Sequence, residues 1–105
     1  MRIVDAFPKF APELRGQLLA SDQPNLADQL DRLELLSRCG CGDSFCSTFY
    51  VGEGKSETTL TLEAKHGMVN IDLGTNGRIL TIEVLDRPDV EAELVAAIER
   101  MRRAT

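Results

Sequence analysis

The sequence predicts a single α+β domain over residues 1–105: two short N-terminal helices, an antiparallel sheet of four to five strands, and a C-terminal amphipathic helix packed on one face of the sheet. Apolar and polar residues alternate through most of residues 45–85, which is typical of strands with one buried face. Asn76-Gly77 interrupts this alternation, and the pair favours a hairpin because both residues tolerate positive φ. From Pro88 onward the apolar residues recur at steps of three and four, as in an amphipathic helix.

The first predicted helix follows a segment that contains two prolines. We expect residues 1–11 to form an arm or loop, because Pro8 and Pro12 interrupt regular structure. Pro12 suits the first position of a helix, where its missing N–H has no partner to lose. This helix should end near Ser21.

The second helix begins at Pro24, and its far end has two interpretations. Its apolar residues at helical spacing are Leu26, Leu30 and Leu33. Leu35 and Leu36 can extend the helix by one turn, or residues 33–39 can form a strand that brings the cysteines to the end of a sheet. We favour the strand.

Four segments with alternating residues predict strands whose apolar side chains face the core. In the first segment the expected core residues are Phe45, Phe49 and Val51, and the opposite face carries Cys46, Thr48 and Tyr50. In the next three segments the expected core residues are Leu60, Leu62 and Ala64, then Val69, Ile71 and Leu73, then Leu80, Ile82 and Val84. Lys65-His66-Gly67 should turn the chain between the second and third segments.

The C-terminal segment is the clearest helix in the sequence. Pro88 opens it, and Asp86 and Asp89 are candidate caps. Its apolar stripe comprises Val90, Leu94, Ala97, Ile98 and Met101. Acidic residues at the start and arginines at the end match the helix dipole, so these arginines need no ligand to explain them.

The composition argues against two classes of partner. The formal net charge of −5 repels phosphate backbones and argues against nucleic acid. No run approaches the roughly twenty apolar residues that a membrane-spanning helix needs, and the N-terminus lacks a signal-peptide pattern. We therefore expect a cytoplasmic protein with no membrane partner, in which the three cysteines stay reduced.

All three cysteines lie in one glycine-containing stretch. The candidate metal ligands are Cys39, Cys41, Cys46 and His66, with Asp43 as an alternative to the histidine. Zinc accepts sulfur, nitrogen and oxygen donors in a tetrahedral arrangement, and structural zinc sites usually draw on Cys-x₂₋₄-Cys pairs. Here Cys-x-Cys is followed by Cys-x₄-Cys, which is a less common layout, and the sequence has no second cysteine pair elsewhere. Reduced thiols that pack as small hydrophobic groups are therefore the favoured interpretation, with no cofactor. Zinc is the alternative.

Two enzymatic interpretations rank lower. Arg38 can favour the thiolate of Cys39, with His66 as a base, although nothing in the sequence places His66 near the thiols. Three carboxylates project from the polar face of the predicted sheet: Glu63, Asp72 and Glu83. No substrate-binding pattern accompanies them, so a solvated face is the simpler explanation and no catalytic residue is assigned.

Two stretches resemble known bacterial sequences. Arg38-Cys39-Gly40-Cys41-Gly42 before a strand is similar to the RCGCG segment of small uncharacterised bacterial proteins. Residues 69–86, with Asn76-Gly77-Arg78 at their centre, resemble the hairpin of a bacterial domain-of-unknown-function family. The resemblance implies a bacterial origin and the placement of strands, and it assigns no functional residue.

The expected function is that of a non-catalytic interaction or regulatory module in a small soluble bacterial protein. Tyr50 and Leu85 put apolar groups on the nominally outer face of the sheet, where they can mark a homodimer or protein-partner surface. Zinc binding by the Cys39/Cys41/Cys46 loop is the alternative function. An enzyme ranks third, because the sequence lacks a catalytic constellation.

Overall fold

A computed structural model describes residues 1–63 and 66–104 and confirms the α+β class. Its four helices are α1 (Ile3–Ala6), α2 (Phe10–Ala20), α3 (Pro24–Leu30) and α4 (Pro88–Arg103). Its five strands are β1 (Ser37–Arg38), β2 (Phe49–Tyr50), β3 (Thr58–Leu62), β4 (Met68–Leu73) and β5 (Ile79–Leu85). The strands lie in the order β1-β2-β5-β4-β3, and all neighbours are antiparallel.

The predicted hairpin is confirmed between β4 and β5. A 3-10 turn at Thr75–Gly77 joins the two strands, with φ of 61° at Asn76 and 72° at Gly77. Both positions need the left-handed conformation that asparagine and glycine tolerate best. Gln29 of α3 fixes the turn from outside the sheet, because its amide donates to the Gly77 carbonyl and accepts from the Ile79 N–H.

The expectation of an N-terminal arm over residues 1–11 is wrong. Ile3 and Phe7 are fully buried, and the Phe7 ring stacks on Phe49 of β2 with 4.4 Å between ring centroids. The Ile3 N–H also donates to the Leu33 carbonyl at 2.9 Å. Pro8 lies in a turn and Pro12 in the first turn of α2, where a proline removes no hydrogen bond, so neither prevents packing.

The strand predicted for residues 33–39 exists but is shorter. Ladder pairing covers Ser37 and Arg38, and the Leu36 and Cys39 N–H groups extend it by donating to carbonyls of the neighbouring segment. Helix α3, which is the second helix that the sequence predicted, ends at Leu30, so it does not continue toward the cysteines.

In the predicted strand that contains β2, a core position was expected for Phe45, and this expectation is wrong. Its side chain is 51% exposed, whereas Phe49 and Val51 are buried as expected. The Asp43 carboxylate accepts a hydrogen bond from the Phe45 N–H at 2.9 Å, so Phe45 belongs to a turn that precedes the regular ladder. Ala64 and Lys65, for which a core position and a turn were predicted, lie outside the described residues.

The C-terminal helix matches its predicted stripe. Val90, Leu94 and Ala97 are buried, and Ile98 and Met101 pack partly buried against the core. The predicted caps are wrong: Arg87 occupies the N-cap position, and no side chain caps the helix. The Asp89 carboxylate instead accepts hydrogen bonds from Arg87. Among the helices of the described residues, none has the length and hydrophobicity that crossing a membrane requires.

The face of the sheet opposite the core carries the residues that concern function. Cys39 pairs with Thr48, and the bridge between Cys46 and Leu85 continues the register of β2 and β5. Leu85 in turn pairs with Met68 of β4. Since side chains alternate along a strand, these residues share one face.

Candidate metal centre

The cysteine loop spans residues 39–46 and is closed at both ends by the sheet. At its start the Cys39 N–H donates to the Thr48 carbonyl at 2.9 Å. At its end the Ser47 N–H donates to the Val84 carbonyl of β5 at 2.8 Å. Gly42 has a φ of 73°, so the chain reverses there in a conformation that other residues adopt at a cost. The ladder therefore brings the two ends of the loop together.

The three thiols form one cluster. The Sγ atoms of Cys39, Cys41 and Cys46 all lie within 4.8 Å of one another. A tetrahedral zinc ion with Zn–S bonds of about 2.3 Å holds its sulfurs about 3.8 Å apart, so a movement of about 1 Å would close the cluster around an ion. Cys39 and Cys46 are half-buried and Cys41 is exposed, so the cluster is open to solvent on one side. This group can hold a metal ion.

Two hydroxyl groups, those of Thr48 and Tyr50, lie beside the thiols. The Cys46 thiol donates to Thr48 Oγ1 at 3.3 Å, and the same oxygen accepts from the Val84 N–H. The Tyr50 hydroxyl lies near Cys39, and the charge of the Cys39 thiolate raises the pKa of Tyr50. The alternation of the strand had placed Thr48 and Tyr50 on the same face as Cys46 but gave no sign of these contacts. Once a thiolate forms, both hydroxyls can donate to it.

Cys39 and Cys41 differ in the direction of their pKa shifts. The backbone N–H of Cys41, assisted by its thiol, stabilises the Cys39 thiolate and lowers the pKa of Cys39. At Cys41 the Asp43 N–H acts to lower the pKa, but the nearby Cys39 and Cys46 outweigh it and the pKa is raised. Cys39 is therefore ionised more readily than Cys41, and it is the better first ligand for an arriving cation.

A charged pair connects the loop to the C-terminal helix. Both guanidinium ends of Arg38 donate to the Glu91 carboxylate, at 2.9 and 3.1 Å, and the arginine also donates to the Cys46 carbonyl at 3.1 Å. The buried Ser47 hydroxyl donates to Glu91 at 3.0 Å. Arg38 precedes the first cysteine and Ser47 follows the last, so one carboxylate fixes both ends of the loop.

The fourth ligand suggested by the sequence does not join the cluster. His66 lines a separate cavity with Glu13, Gln17, Glu63 and Arg87, whereas the cavity beside Cys39 is lined by Arg38, Gly40 and Glu91 among others. The Asp43 carboxylate accepts from the Phe45 N–H and is not part of the group. Within residues 1–63 and 66–104, the potential ligands of the group are the three thiols.

The carboxylates on the open face of the sheet have ordinary hydrogen-bond partners. Asp72 accepts from the Thr59 hydroxyl at 2.8 Å, and Glu83 accepts from the Asn70 amide at 2.7 Å. Each pair joins neighbouring strands, which is how polar side chains commonly stabilise a sheet surface.

No protein-family model, curated protein or solved structure matches this chain, so the site itself is the basis for a functional proposal.

Proposed function

We propose that the protein binds a thiophilic metal ion, zinc in the first place, through Cys39, Cys41 and Cys46. The observation that carries this proposal is the convergence of three Sγ atoms to within 4.8 Å. Thiolate donors select soft or borderline ions such as Zn²⁺ and Cu⁺ over Mg²⁺ and Ca²⁺, which prefer oxygen.

Packing alone explains the cluster poorly. A structural cysteine usually acts as a small buried hydrophobic group, but Cys41 is exposed and the described core contains no cysteine. The environment instead favours the charged form of Cys39 that a metal needs, because the Cys41 N–H stabilises the Cys39 thiolate and lowers its pKa.

The interaction role expected from the sequence has its own support. Around the thiols, Phe45, Met68 and Tyr50 are 51%, 47% and 36% exposed. Large apolar groups side by side on a surface favour contact with another protein. We therefore propose a non-catalytic module of the reducing cytoplasm in which metal binding and protein contact take place on the same face.

Metal titration of the untagged, chelator-treated protein tests the metal proposal. We expect Co²⁺ to give thiolate charge-transfer absorption that saturates at one ion per chain, and Zn²⁺ to displace it. Bound metal should protect the thiols from a thiol reagent until chelator is added. Cys41→Ser should weaken binding, whereas Ser44→Ala, in the same exposed loop, should not.

Thiols that react equally fast with and without Zn²⁺, together with no charge-transfer absorption, would refute metal binding. A His66→Ala variant resolves the fourth ligand. We expect unchanged affinity, because His66 lines a different cavity, and a loss of affinity would restore His66 as a ligand.

A further inference from the structure

We propose that two copies of this chain join through the thiol-bearing face of the sheet and share two metal ions between them. This inference rests on the proposed metal binding and adds the partner. It follows from the number of ligands, from the side chains beside the cluster, and from the distribution of charge on the same face.

The number of ligands is one short in a single chain. A closed zinc site is tetrahedral, and the described residues supply three thiolates. Two chains supply six, which is the number that two tetrahedral ions need when they share two bridging thiolates. A symmetric pair thus completes the four-fold coordination of both ions without any further residue, whereas one chain alone leaves one coordination position to water.

The exposure of the thiols indicates which one would bridge. Cys39 and Cys46 are half-buried, and both are held to Thr48: the Cys39 N–H donates to its carbonyl and the Cys46 thiol to its hydroxyl. Cys41 lies at the exposed side of the cluster and can reach an ion that is bound mainly to the other copy. Cys41 is therefore the bridging ligand in this arrangement.

An apolar surface adjoins the cluster where a second copy would sit. The Asp86 N–H donates to the Phe45 carbonyl at 2.9 Å, and Leu85 is bridged to Cys46 and paired with Met68. Phe45, Met68 and Leu85 line a shallow cavity of about 320 Å³ together with Gly67 and Asp86, so its apolar side chains are bordered by one carboxylate. In a two-fold symmetric contact each surface meets its own copy, so an exposed phenylalanine beside a shallow cavity is matched by the same pair on the partner.

Charge limits the contact to this end of the sheet and makes it depend on metal. A net charge of −5 repels a second copy, and Glu83 and then Asp72 lie further along the same face than the row of Cys46, Leu85 and Met68. The zinc–thiolate bonds shared between the two copies would offset this repulsion, and a metal-free pair lacks them. The metal-free chain should therefore remain a monomer.

Native mass spectrometry and light scattering of the full chain, with and without one equivalent of Zn²⁺ under a phosphine reductant, test the proposal. We expect a monomer without metal and a dimer with two zinc ions when loaded. Phe45→Glu should raise the dimer dissociation constant at least tenfold while each chain still binds zinc. The control Val95→Glu also replaces an exposed apolar side chain by glutamate, but on α4, where Val95 is 43% exposed, and it should leave the dimer intact.

The bridge has a separate signature. Two high-spin Co²⁺ ions that share thiolates couple magnetically, so the electron paramagnetic resonance signal per cobalt should be weaker in the wild-type dimer than in Phe45→Glu.

The outcomes separate the two proposals. A monomer that binds one zinc would overturn the shared site and leave the metal proposal standing. A chain that binds no zinc would overturn both. A dimer that forms equally well without metal, or one that Val95→Glu disrupts as much as Phe45→Glu, would also refute the shared site.

Discussion

Arg38 and Glu91 are 53 residues apart in the chain and meet in a two-point ion pair, with Nη2–Oε1 at 2.9 Å and Nη1–Oε2 at 3.1 Å. The hydrogen bond to Glu91 raises the pKa of Arg38, so the arginine stays charged throughout the accessible pH range. Both side chains are less than a third exposed, and the pair is therefore less screened than a pair on the open surface. It makes the first turn of α4 a support for the thiol loop.

The first prediction concerns this support. Glu91→Gln should lower the Co²⁺ affinity about tenfold, and Glu91→Ala by up to about a hundredfold, because residues that orient metal ligands typically act on this scale. Isothermal titration of the folded variants measures the effect. The control is Glu99→Gln, which removes an exposed pair with Arg103 and should leave the affinity unchanged. Equal affinity of Glu91→Ala and wild type would show that the loop does not depend on this contact.

The second prediction compares two phenylalanines. Phe7→Ala should destabilise the metal-free protein by about 3–5 kcal/mol, because it removes a fully buried ring that stacks on Phe49. Phe45→Ala should change stability by less than about 0.5 kcal/mol, because its ring is exposed. Urea denaturation measures both, with Phe7→Leu as the milder variant if Phe7→Ala does not fold. The reverse order would mean that residues 1–11 are an arm after all.

The third prediction concerns acid. Hydrogen bonds from Arg87 lower the pKa of Asp89 below the ordinary aspartate value of about 3.9. A depressed folded-state pKa contributes stability that is present above the unfolded value and is lost as the pH falls through the folded one. Asp89 is 65% exposed, so Asp89→Asn should cost less than about 1 kcal/mol at neutral pH.

Denaturation from pH 7 to pH 2 should show the gap between wild type and Asp89→Asn closing as the acid protonates Asp89. In an Arg87→Gln background the gap should be small at every pH, because the partner of the carboxylate is gone. A gap that persists at pH 2 would assign the effect of Asp89→Asn to something other than its charge.

The fourth prediction uses two glycines of the cysteine loop. Gly42→Ala should cost about 1 kcal/mol, because alanine is strained at a φ of 73°. The strain should also displace Cys41 and weaken Co²⁺ binding. Gly40→Ala should be tolerated, since its φ is ordinary and no atom lies within 4 Å of an added Cβ. If both variants bind Co²⁺ equally, the loop conformation is not what gathers the thiols.

The sequence by itself determined the secondary structure of the sheet and of the last helix. Alternation at Val69, Ile71 and Ile82, the dipeptide Asn76-Gly77, and the stripe of α4 depend on neighbours a few residues away, so a local pattern is enough to predict them. It also identified Cys39, Cys41 and Cys46 as the unusual chemistry of the chain. It ranked metal binding second because their spacing is uncommon.

The tertiary structure decided which distant residues meet. The strand order β1-β2-β5-β4-β3 closes the cysteine loop on β5 and brings three Sγ atoms together, and no spacing rule contains that order. The burial of Phe7, the exposure of Phe45 and the pairing of Arg38 with Glu91 depend on how separate elements pack. The physical reason is that periodicity assigns a residue to a face of its own element, while contacts between elements are set by the shape and charge of the whole core.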